Sequence, residues 1–156
     1  MSAFNEFCFW LVLRLDFSQA VGMPEIVQFV HRGTSQITPR ILAGVHKKLP
    51  LLKVEFAQIN APKYPHLVDQ LEFLANVLED FAENADLDLP YVAVAGAAFA
   101  LVYAHRQMDL IPDAMEEFGH ADDSSVVRAV LMEYERVFAS YAARHGMNWS
   151  RITLKP

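Results

Sequence analysis

The sequence predicts an all-α single domain, a compact multi-helix bundle with one apolar helix at its centre. Three observations carry this. Leu67, Leu71, Leu74, Leu78 and Phe81 recur at steps of four and three, and the run Leu89 to Ala104 is apolar on nearly every side. A second helical stripe follows in Val127, Val130, Leu131, Tyr134, Val137, Phe138 and Tyr141. A chain of 156 residues has the length of one domain and buries roughly two-thirds of the surface its unfolded form exposes, so it needs neither disulfide nor metal to hold together.

The elements divide into an unassigned N-terminal part, 1–60, and a helical core, 61–145. Phe7, Phe9, Leu11, Leu13, Leu15 and Phe17 alternate as in a strand, while Phe4, Phe7, Cys8, Leu11 and Leu15 fit a helical stripe. Helix is favoured, because a lone strand in a helical chain leaves its backbone groups without partners. A minor strand pairing within 1–60, involving Val54-Glu55-Phe56, is the fallback. A helix from about Met23 to His31 should end near Gly33. Another should start at Thr38-Pro39, a capping residue followed by proline at the first helical position, with Pro50 dividing it from a segment near 51–59.

In the core, the Leu67–Phe81 stripe predicts a helix of about twenty residues. Its other face carries Asp69, Glu72, Glu79, Asp80 and Glu83. Asp88 and Pro90 form a start signal for the apolar helix, along which Ala93, Gly96, Ala97, Ala100 and Ala104 make a ridge of small residues. The last helix should run from about Asp123 to Arg144 and stop at Gly146. Trp149 and Ile152 are the side chains available to dock the tail.

Charge excludes some functions. The net charge is −6, and residues 61–125 hold thirteen Asp and Glu against Lys63 and Arg106. A nucleic-acid binder needs a concentrated basic surface to displace counterions, and none is present. The start, "MSAFNEFCFWLVLRLDF", lacks the pattern of a signal peptide. The longest uncharged apolar run has sixteen residues, Leu89 to Ala104, against ~20 for a spanning helix. Membrane spanning is not expected, and peripheral contact through 89–104 is a minor alternative. Cys8 is the lone cysteine, which leaves no intramolecular disulfide or zinc pattern and favours a cytoplasmic location.

The least generic stretch is "QMDLIPDAMEEFGHADDSSVV", 107–127. An unbroken helix would line up His105, Asp109 and Asp113 at single-turn spacing. Pro112 opposes that, because its ring clashes with the carbonyl four residues back and it has no N–H. The expected geometry is a helix ending near Gln107, a break at Asp109–Pro112, a short helix closed by Gly119, and Asp122 or Asp123 capping the last helix. On this reading the carboxylates tie off loose amides and no cofactor is expected. The alternative gathers His105, Asp109, Asp113, His120, Asp122 and Asp123 around a divalent metal. Oxygen ligands suit Mg, Mn or Ca, and a histidine tilts the choice toward Mn or Zn.

Tyr103, Asp109-Leu110-Ile111-Pro112-Asp113, Gly119, Asp122-Asp123 and Val126-Val127 resemble the motif of the YkvA-like family, bacterial proteins carrying a domain of unknown function. The resemblance spans about residues 95–129. It departs at Arg106-Gln107-Met108, where the family commonly has Ser-Pro before the Asp, and at the usually apolar position of Glu116-Glu117. It implies a helical hairpin and no particular reaction.

Two functional expectations follow. The favoured one is a non-enzymatic protein-interaction module, of regulator, adaptor or immunity type, binding a protein partner or a second copy of itself. Its warrant is an acidic middle segment beside surplus apolar side chains. The other is a divalent-metal-binding protein or metal-dependent hydrolase using the connector 105–123. No Ser-His-Asp order, phosphate-cradling glycine loop or His-Glu-x-x-His motif supports other chemistry.

Overall fold

Helix α1, Met23–Ser35, leads by a short turn into α2, Pro39–Ala57. The computed structural model describes the backbone of residues 23–60, 63–110 and 116–154, and their side chains except at 23–24 and 107–122. Thr38 caps α2 as its sequence requires: its side chain accepts a hydrogen bond from the Ile41 N–H at 3.2 Å, and Pro39 fills the first turn. Pro50 does not divide the segment. It lies inside one continuous α2, and the 51–59 region with Val54-Glu55-Phe56 is helix up to Ala57. An interior proline costs ~3 kcal/mol, but Leu42, Val45 and Leu49 before it and Leu52 and Phe56 after it are all buried. Packing on both sides of the proline outweighs that local penalty. No strand occurs among the described residues; the alternation in residues 4–17 lies outside them.

Helix α3, Leu67–Ala82, buries its leucine stripe as the spacing predicts. It closes on Asn84, whose φ of 56° lets the N–H of Ala85 reach the Asp80 carbonyl at 2.8 Å. Asparagine tolerates this left-handed turn better than most residues. Helix α4, Tyr91–Leu110, begins one residue after Pro90, whose carbonyl accepts the Val94 N–H. Asp88 instead turns its own N–H onto the Asp86 carboxylate. From Ala93 to Ala104 nearly every side chain of α4 is buried. This helix is the centre of the bundle, packing against α1, α2 and α3 and against α5, Glu116–Glu133. Two glycines set close approaches: a Cβ on Gly33 would enter the Phe99 ring, and one on Gly96 would enter the Tyr134 ring. The small-residue ridge therefore receives an aromatic side chain at Gly96.

Three expectations for the connector change. Helix α4 runs on to Leu110, through Gln107 and Asp109, before residues 111–115, which lie outside the described chain. Gly119, Asp122 and Asp123 do not stand at a helix end, because all three lie within the continuous α5. Aspartate and glycine each cost a helix interior only ~1 kcal/mol or less, so a cap-like residue does not by itself end a helix. The last helix is also two: Tyr134 takes φ −110° and ψ 30°, and α6, Glu135–Arg144, follows it. Gly146, with φ 68°, ends α6 as expected. Its N–H reaches the Ala143 carbonyl, and the Met147 N–H reaches that of Ala142. The short α7, Trp149–Ile152, is capped by Asn148. Trp149 lies on Phe73 with ring centres 5.8 Å apart, and Gln70 holds the Ile152 and Leu154 carbonyls, so the tail docks.

Candidate functional site

Of the six connector residues grouped as metal ligands, His105 and Asp123 have described side chains. His105 turns toward α2, where its Nδ1 meets the Glu55 carboxylate at 2.7 Å. Asp123, only 1 % exposed, is buried in the interior of α5. Asp109, His120 and Asp122 have side chains outside the described set, and Pro112 and Asp113 lie outside it altogether. Tyr103 is a core residue, edge-on to Phe29. Among the described residues, no group of three or more His, Cys, Asp and Glu side chains is placed to hold a metal ion.

A second polar constellation lies where α3 and α6 end. Asp86 is nearly buried and accepts both arms of the Arg144 guanidinium, at 3.0 and 3.1 Å, as well as His145 at 3.0 Å and the Asp88 N–H. Burial pushes the Asp86 carboxyl upward, but His145, Arg144 and the Asp88 N–H outweigh it and hold the group below the usual carboxylate range. Nearby, Tyr141 donates to Asp80. Its phenol is driven well above the ordinary range by burial first and the Asp80 carboxylate second. Every one of these groups has partners that fix it. The arrangement clamps the end of α6 to the loop entering α4.

The surface left open lies on α2. Ala43, Lys47, Pro50, Val54 and Ala57 are all exposed and recur at steps of four and three, with the exposed Leu51 beside them, four residues after Lys47 and three before Val54. They make one outward stripe. Leu51 is 59 % exposed and Val54 57 %. The opposite face packs into the core through Leu42, Val45, Leu49, Leu52 and Phe56. The flanks of α2 are tied inward by three ion pairs: His46–Glu83 at 3.6 Å, Lys53–Glu79 at 2.5 Å and Glu55–His105. Those pairings leave an apolar strip without an acidic group on it. Beside Ala57, between α2 and α3, is a dimple of about 140 Å³ walled by Phe56, Ala57 and Val68, with Lys53 and Glu72 also lining it.

Comparisons of the chain with protein-family models, with curated proteins and with solved structures found no match. No helix among the described residues is long and apolar enough to cross a membrane. The sequence does not show the α2 stripe directly, because Pro50 argues for two short segments. Once α2 is continuous, Pro50, Leu51, Val54 and Ala57 fall on one face. The separation of the inward Leu49, Leu52 and Phe56 from the outward Leu51 and Val54 is readable at helical spacing.

Proposed function

We propose that this chain is a non-enzymatic interaction module that pairs with a second copy of itself through the outward face of α2. The observation that carries the reading is the exposure of Leu51 and Val54 side by side on a rigid, well-packed helix. Isolated exposed apolar residues are ordinary, whereas a contiguous strip invites a partner.

The strip suits a second copy for reasons of charge and shape. In an antiparallel pairing with Val54 on the two-fold axis, Leu51 of each copy falls opposite Ala57 of the other, beside the dimple against Val68. The strip itself carries no carboxylate; Glu72 lies beside it, lining the dimple. The two Lys47 residues would lie fourteen positions apart along the pair, about 21 Å, well beyond the screening length of roughly 8 Å. A helix of 19 residues offers a strip about 28 Å long and about 10 Å wide. That is less than the ~800 Å² per partner of a standard interface, so the association belongs to the weak, concentration-dependent class. Asp86, buried and hydrogen-bonded, and His105, half-buried and paired with Glu55, are both committed to structural contacts, which favours a binding role over a catalytic one.

Sedimentation equilibrium across about 10 μM to 1 mM tests this. The wild-type chain should shift reversibly from monomer to dimer, and the Leu51→Glu, Val54→Glu double variant should remain monomeric with an unchanged helical spectrum. A wild-type chain that stays monomeric throughout rejects the proposal, as does a double variant that dimerises equally well.

A further inference from the structure

Leu67, Leu71, Leu74 and Leu78 mark the face that α3 buries, and Gln70 lies fully buried among them. A carboxamide at a position suited to leucine is costly unless its polar atoms are used. Its Nε2 donates to the Ile152 carbonyl at 3.0 Å and to the Leu154 carbonyl at 3.2 Å. Its Oε1 has no hydrogen-bond partner among the described residues. The described hydrogen bonds of this core side chain therefore all serve the tail. Arg128 of α5 donates to the carbonyl between those two, that of Thr153, at 2.7 Å. Trp149 completes the attachment on the ring of Phe73. Two side chains thus hold three successive carbonyls.

The held segment has the form of a ligand. Asn148 caps its single turn by accepting the Arg151 N–H, and the last carbonyls of a turn have no partner within it. None of the four residues of α7 is fully buried; Trp149 and Ile152 are partly so. The segment joins α6 through Gly146, at φ 68°, where a side chain would meet nothing within 4 Å. The grip falls on backbone carbonyls and one ring, so it does not require the segment to be covalently attached. Removing the tail would strand the buried Gln70 donors, which any replacement must satisfy with carbonyls in the same places. The same segment of a second copy does so. We infer that the seat formed by Gln70, Arg128 and Phe73 is a peptide-recognition site for residues 148–154 of a second copy, which the chain's own tail plugs in cis. The seat uses none of the outward residues of α2, so its test is independent of the pairing proposed above.

Fluorescence anisotropy with a labelled peptide of residues 147–154, titrated with the full chain, tests it. A tethered segment competes at an effective concentration on the order of 1 mM, so the wild-type chain should bind the peptide weakly. Trp149→Ala in the chain loosens the plug and should raise the affinity by at least tenfold, with an unchanged helical spectrum. Ile152→Ala loosens the plug at a second point and should act in the same direction. Adding Gln70→Met, similar in shape but without donors, should then weaken binding by about tenfold. No binding to either loosened chain overturns the inference. So does equal affinity for the wild-type and loosened chains, or binding that Gln70→Met leaves unchanged.

Discussion

Helices α2 and α4 are both rich in apolar residues, but they dispose of them differently. Helix α4 is surrounded, touching α1, α2, α3 and α5, and its side chains from Ala93 to Ala104 are almost all buried. Helix α2 buries only the face carrying Leu42, Val45, Leu49, Leu52 and Phe56, while Leu51 and Val54 point outward. Similar residue types therefore carry different meanings. In α4 they hold the bundle together; in α2 the outward pair contributes nothing to the isolated chain that packing would explain. Folding alone does not account for the second set, and the proposed pairing would.

Substitutions separate the two roles. The largest effect belongs to Phe99→Ala in α4, where the ring is fully buried against Phe29 and Tyr103; chemical denaturation should show a loss of about 3–5 kcal/mol. Asp86→Ala, at the loop that leads into α4, should cost roughly 2–3 kcal/mol at neutral pH because Arg144 and His145 lose their shared acceptor. The carboxyl titrates lower in the folded chain than in the unfolded one. Its stabilisation is therefore complete above the unfolded value near pH 4 and fades as pH falls through the folded value. Melts of wild type and Asp86→Ala should converge below about pH 4; a gap that widens there contradicts the assignment.

Gly96→Ala should have a smaller effect. Crowding against Tyr134 costs ~1–3 kcal/mol, and better helix propensity returns ~1 kcal/mol, leaving a loss of about 1 kcal/mol in the same denaturation assay. Leu51→Ala and Val54→Ala should come last. At low concentration, each should leave monomer stability within ~0.5 kcal/mol of wild type. A loss comparable to that of Phe99→Ala would erase the distinction between the two helices.

Much of this architecture is legible in the sequence wherever one local signal dominates. Thr38-Pro39 marks the start of α2, Gly146 ends α6, and the Leu67–Leu78 stripe defines the buried face of α3. Reading fails where local cost and tertiary packing oppose each other. Pro50 suggests a break that flanking core contacts override, and Gly119, Asp122 and Asp123 resemble caps although α5 passes straight through them. Spacing groups His105 with carboxylates near in sequence and gives no sign of Glu55, fifty residues away, which it also meets.

The most direct test of the α2 proposal is a disulfide cross-link at its expected centre. In a Cys8→Ser background, Val54→Cys should form covalent dimers under mild oxidation, because residues on a two-fold axis approach within the ~7 Å that a disulfide requires. Lys47→Cys in the same background should stay monomeric, its two copies lying about 21 Å apart along the pair. Rapid cross-linking at 54 but not at 47 supports pairing through α2, and equal yields at both positions, or none at 54, would contradict it.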